Sequence, residues 1–67
     1  MATTGVWWAV WYRGRFGQRI AVRRSFAGEQ LKVRADSAAE ALALARAKVR
    51  PVYLGLVLEV TPEGGQS

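Results

Sequence analysis

Trp7 and Trp11 are four residues apart, and basic side chains follow at Arg13, Arg15, Arg19 and Arg23 and again at Lys32 and Arg34. Indole rings interleaved with cations suit nucleic-acid binding, in which the rings stack on planar bases and the cations neutralise phosphates. The same residue types suit a protein interface, where Trp, Tyr and Arg are enriched among the side chains that carry binding energy. They also suit a bland arrangement, with tryptophans packed beneath arginine side chains and the charges simply solvated. Trp7, Trp11, Arg13, Arg15, Arg19, Arg23, Lys32 and Arg34 are the candidate partner-binding residues.

Other chemistry has little to work with. The chain has no histidine and no cysteine, which removes the commonest general base, the thiol nucleophile and most transition-metal ligands. Asp36 and Glu40 are spaced like a paired carboxylate, but they flank a helix start, where capping accounts for both. The run Arg13-Gly14-Arg15-Phe16-Gly17 lacks the Lys-Ser/Thr ending and following helix of a phosphate-cradling P-loop, so it reads as a hairpin turn. No enzyme, cofactor, metal site or small-molecule substrate is expected.

Charge points toward an anionic partner. Ten Lys and Arg against five Asp and Glu give a net charge of +5 over 67 residues. Arg13, Arg15, Arg19, Arg23 and Arg24 all precede Glu29, the first acid. Such an asymmetry favours nucleic acid or an acidic protein surface, although a small domain also needs charge for solubility. The longest apolar runs, Val6 to Tyr12 and Val52 to Leu58, are far shorter than the roughly 20 residues that span a bilayer. No basic residue precedes Arg13, so the layout of a secretory signal is missing. A cytoplasmic location without a membrane partner is expected.

Five elements must position these residues. Alternation from Gly5 predicts a first strand, with Val6, Trp8, Val10 and Tyr12 on one face and Trp7, Ala9, Trp11 and Arg13 on the other. Gly14 and Gly17 supply the positive φ of a hairpin turn. A second strand follows over 18–25, bulged or ended near Arg24. A turn at Ala27-Gly28-Glu29 then leads to a third strand, paired with the second, in which Leu31 and Val33 alternate with Gln30, Lys32 and Arg34. Ser37 and Glu40 form a capping box for a helix over 38–49, whose stripe is Ala38, Ala41, Leu42, Ala45 and Val49. Pro51 ends the helix. Val52, Leu54, Leu56, Leu58 and Val60 predict a final, central strand, and 62–67 read as a disordered tail.

The stretch Val33-Arg34-Ala35-Asp36-Ser37-Ala38-Ala39-Glu40-Ala41 resembles a strand-to-capped-helix junction found in many small domains, including the DpnD/PcfM-like proteins of mobile elements. Capping physics alone produces that junction, so the resemblance implies neither function nor site residues.

The expected architecture is a single α+β domain over 5–61: one mostly antiparallel four-stranded sheet, order β-β-β-α-β, with one helix on one face. The uncovered face then carries Trp7, Trp11, Arg19, Arg23, Lys32, Arg34, Tyr53, Val57 and Glu59. An apolar patch in a basic frame is seldom idle. Leu44, off the helix stripe and expected to be exposed, adds a second hint beside that patch, so a homodimer is a further expectation. Three roles remain open: a nucleic-acid-binding module, placed first; a protein-binding module of the kind carried by phages and mobile elements, docking on an acidic protein; and a self-assembling structural subunit.

Overall fold

The computed structural model describes residues 5–24 and 28–63. β1 (Val6–Arg13), β2 (Arg19–Ala21) and β3 (Lys32–Ala35) precede α1 (Ala38–Lys48), which a single 3-10 turn (Pro51–Tyr53) joins to β4 (Leu58–Pro62). All four strands form one antiparallel sheet, so the chain is an α+β fold in the expected order β-β-β-α-β.

The sheet is centred on β1, the strand with the cleanest apolar alternation. β4 lies along one edge of β1, with Val10 opposite Val60 and Tyr12 opposite Leu58. Along the other edge, β2 faces the C-terminal part of β1 and β3 the N-terminal part, with Tyr12 opposite Ile20 and Trp8 opposite Val33. β2 and β3 therefore run end to end in one lane and do not form the continuous hairpin expected of them. Their lane breaks opposite Val10, whose N–H donates to the Leu31 carbonyl at 3.1 Å and whose carbonyl accepts from the Val22 N–H at 3.0 Å. Between these two contacts, residues 22–24 and 28–31 leave the lane as the two arms of an inserted excursion. The Leu31 N–H to Val22 carbonyl bond of 2.7 Å closes its base, and an Arg23–Gln30 bridge extends it.

Periodicity does not reveal this break because Val22 and Leu31 are apolar for a different reason. Val10 and Val22 are fully buried and Leu31 is nearly so, so together they anchor the base of the excursion in the core. β2 consequently ends at Ala21 and not near Arg24. The turn expected at Ala27 falls partly outside the described residues, but the Arg24 N–H to Glu29 carbonyl bond of 3.0 Å spans it. In the β1–β2 connection only Gly17, at φ 83°, uses the left-handed region that favours glycine.

α1 begins where the capping box places it. Ser37 Oγ accepts from the Glu40 N–H at 3.2 Å, while Glu40 Oε1 accepts from the Asp36 N–H at 3.2 Å. These bonds satisfy amides that the first helical turn leaves free. Ala41 and Ala45 are fully buried against the sheet, and their small size lets the helix sit close to Val10, Val33 and Leu58. The buried arc centres on this pair and not on Leu42 and Val49. At 100° per residue, that centre brings Leu44 within reach of the core, where it packs half-buried and not exposed as expected. Ala38, in the first turn, is exposed.

The last strand departs most from expectation. Pro51 starts the 3-10 turn, a position that its fixed φ suits. The Leu54 N–H donates to the Pro51 carbonyl at 3.0 Å and the Leu56 N–H to the Tyr53 carbonyl at 3.1 Å, so this segment curls and does not extend. β4 begins only at Leu58, runs on through Pro62 and lies at the edge of the sheet, not at its centre. The Glu63 N–H adds a bond of 2.8 Å to the Trp7 carbonyl. Of the tail expected over 62–67, Pro62 thus closes β4 and Glu63 bonds to β1, while 64–67 lie outside the described residues. Among the described residues no helix is long and apolar enough to cross a membrane.

Candidate nucleic-acid interface

The pleat of β1 divides its side chains as the alternation requires. Trp8, Val10 and Tyr12 face the helix and the core. Trp7, Ala9, Trp11 and Arg13 face the other way, and the register places Lys32, Arg34, Arg19, Glu59 and Thr61 beside them. Neither α1 nor any other described element covers this second face.

The two outward tryptophans are held differently. Trp11 Nε1 donates to Thr61 Oγ1 at 2.8 Å. Thr61 is the cross-strand partner of Ala9, so the bond draws the indole back along β1 over the Ala9–Thr61 pair. Ala9 is the one small side chain on this face of β1, and it is only 3% exposed. Trp7 is 47% exposed, and the guanidinium of its cross-strand partner Arg34 lies 5.0 Å from its ring centroid. That spacing is a cation–π contact.

The cations fall into two groups. At the β1–β2 end, Glu59 accepts from both Arg13 Nη2 and Arg19 Nε, the latter at 3.0 Å. Arg13 also bonds the Gly17 carbonyl at 2.7 Å, while Arg15 projects from the exposed turn. The second group surrounds a broad, open depression beside β3, lined by Trp7, Arg24, Lys32, Arg34 and Lys48 together with two acids, Glu29 and Glu63. Lys32 pairs with Glu63 at 2.9 Å. Arg24, Arg34 and Lys48 have no ion-pair partner among the described residues.

Some expected members of the face lie elsewhere. Tyr53 packs against Tyr12 on the core side, with ring centroids 5.4 Å apart, and its hydroxyl accepts from the Arg23 N–H at 3.4 Å. Val57 belongs to the turn before β4, where its carbonyl accepts from the Arg13 N–H at 2.9 Å. Arg23 sits on the excursion and donates from Nη1 to the Gly28 carbonyl at 3.1 Å, so its side chain fastens that loop. Arg24 and Lys48 were not among the candidates. Arg24 stands where the sequence predicts that the second strand bulges or ends, and Lys48 lies in the last turn of α1, where a basic residue suits the helix terminus.

Hydrogen bonds from Arg19 and Arg13 hold the Glu59 carboxyl below the usual glutamate range. A group whose pKa is depressed on folding stabilises the fold above its ordinary pKa, and that contribution disappears as pH falls through the lowered value. In Glu59→Gln the acid-side fall in melting temperature should therefore lose this component. The same change frees two arginines, so affinity for a short single-stranded oligonucleotide should rise about three- to ten-fold at roughly 50 mM salt. Fluorescence anisotropy of a labelled oligonucleotide checks the second effect, and a fall in affinity would show that the pair serves as a required contact.

Comparison with known proteins brings no outside guide to this interface: no protein-family model, curated protein or solved structure matches the chain.

Proposed function

We propose that the chain is a small, non-catalytic, cytoplasmic binding module whose open sheet face engages nucleic acid. The observation that carries this reading is the grouping of Arg24, Arg34 and Lys48, without ion pairs among the described residues, around the depression that Trp7 borders, where cations outnumber the two lining acids, Glu29 and the Lys32-paired Glu63. Cations already neutralised by neighbouring acids add little to phosphate binding, whereas unpaired ones release counterions when they meet a phosphate backbone. Their position next to an exposed aromatic ring supplies both parts of the expected contact.

The test is size-exclusion chromatography with light scattering, with and without a short oligonucleotide, over a salt series. For a single strand each phosphate contact adds about −0.7 to the slope of log K against log salt. Three contacts therefore predict a slope of about −2. A chain that forms no complex even at low salt, or a stable dimer that ignores the oligonucleotide, overturns the reading.

One observation favours a second reading, docking on an acidic protein. Val52, Leu54, Leu56 and Val57 are all exposed in the connection between α1 and β4, at 68%, 58%, 40% and 65%. This apolar loop adjoins the basic β1–β2 end through the bond between Arg13 and Val57. A specific protein complex that survives nuclease and moderate salt, and is lost in Leu54→Asp, would favour this reading over nucleic acid.

A further inference from the structure

We infer that the ligand of the open face is a single strand, with one base stacked on Trp11 and a second on the guanidinium of Arg34, which Trp7 supports from below. This inference rests on the nucleic-acid reading and narrows it to one class of ligand. The hydrogen bond from Trp11 Nε1 to Thr61 Oγ1 fixes the indole over the Ala9–Thr61 pair. Trp11 is half-buried, so its ring packs partly on the sheet and keeps the rest of its surface toward solvent. A ring held in place before binding loses little freedom on binding, which is the condition for an effective stacking platform.

Trp7 presents a different surface. The Arg34 guanidinium already lies over its ring at 5.0 Å, so a base reaching this position meets the guanidinium plane first. Guanidinium planes stack on bases as aromatic rings do, and this one also brings a charge that no described acid neutralises. The two tryptophans therefore have separate roles, Trp11 as a direct platform and Trp7 as the support of a cationic one.

Spacing selects the single strand. Trp7 and Trp11 are four residues apart on β1, but the Trp11 indole is drawn back over Ala9, so the two platforms stand about two residues apart, roughly 7 Å at the usual rise of a strand. Neighbouring bases in a duplex stand about 3.4 Å apart with their faces already stacked on each other. Two platforms so far apart can be filled only by bases that have left one another, as in an extended single strand. A duplex would offer only phosphates to this face and would leave both platforms unused.

The experiment compares a labelled short oligothymidylate with a duplex of the same length, by anisotropy at fixed salt. The single strand is expected to bind at least about ten-fold more tightly, because it alone gains the two stacks. Trp11→Ala should weaken single-strand binding about 5- to 150-fold, the range of one lost stack, and leave duplex binding within about two-fold. Trp11→Phe keeps an aromatic ring at the position and should lose only part of that factor, so it serves if the alanine variant fails to fold. Arg34→Lys keeps the charge but not the plane. It should weaken single-strand binding by about five-fold or more with an unchanged salt slope, which a purely electrostatic role would not produce. Equal affinity for duplex and single strand, or Trp11 and Arg34 variants within about two-fold of the parent, overturns the inference while the nucleic-acid reading stands. Failure of the parent protein to bind either oligonucleotide overturns both.

Discussion

Leu58→Ala is expected to unfold most of the protein at 37 °C, while Leu54→Ala, the same chemical change four residues earlier, leaves stability almost unaltered. Leu58 is 5% exposed and belongs to the core formed by Val10, Val33, Ala41 and Ala45, so its truncation removes buried methyl groups and leaves a cavity. Such changes cost about 2–5 kcal/mol. A core in a chain this short rarely supplies more than about 3–5 kcal/mol of net stability, so one truncation can remove nearly all of it. Leu54 is 58% exposed in the connection before β4, and surface changes of this kind stay within about 0.5 kcal/mol. Urea unfolding followed by tryptophan emission separates the two, since Trp8 packs against the core and its indole N–H is bonded to the Ala35 carbonyl. Equal losses in both variants would mean that residues 52–60 form one strand with a single buried face, as their alternation alone suggests.

That contrast marks where sequence stops determining structure here. In β1 the alternation is decisive because neighbouring strands cover both of its edges and α1 covers one face, so each position has one fate. The capping box at Ser37 and Glu40 is equally legible, because its hydrogen bonds are local and need no tertiary partner. The segment 52–57 carries an equally good strand pattern, but a strand also needs a partner. β1 is eight residues long, and its pairing with β4 spans Trp8 to Tyr12, which leaves no length to pair with Val52 or Leu54. Pro51 then tips the segment into a 3-10 turn. The excursion that leaves the lane at Val22 and returns at Leu31 is illegible for the opposite reason. Val22 and Leu31 fit the strand period, yet they face Val10 from the two sides of a break.

For the candidate site, residue type proved more legible than grouping. Trp7, Trp11, Lys32 and Arg34 could be placed on one face from the strand period alone. The division of the cations could not, because it depends on one acid. Glu59 lies opposite Trp11 in the register, within reach of Arg13 and Arg19, and nothing in the local sequence brings those three together. Arg24 and Lys48 border the depression only because the excursion and the helix end both lie beside β3.

This division makes the largest functional prediction directional. Replacing Arg24, Arg34 and Lys48 together by Gln is expected to lower single-strand affinity about 500-fold near 50 mM salt. The figure follows from roughly 0.7 units of salt slope per phosphate contact, which at that salt is about a factor of eight for each charge. The salt slope should fall toward zero with the affinity. The matching change at the other end, Arg13 and Arg19 to Gln, removes two formal charges, which at the same factor would cost about 60-fold, but should weaken binding less than ten-fold, because Glu59 already neutralises one of the two. All five side chains are exposed and lie outside the hydrophobic core, so both variants should remain folded. Anisotropy titrations at several salt concentrations measure affinity and slope in one series. If both sets of variants lose about eight-fold for each charge removed, net charge alone governs binding, and the depression beside β3 is not the site. A loss confined to the Arg24, Arg34 and Lys48 set would place the strand's phosphates along β3, beside the two platforms on β1.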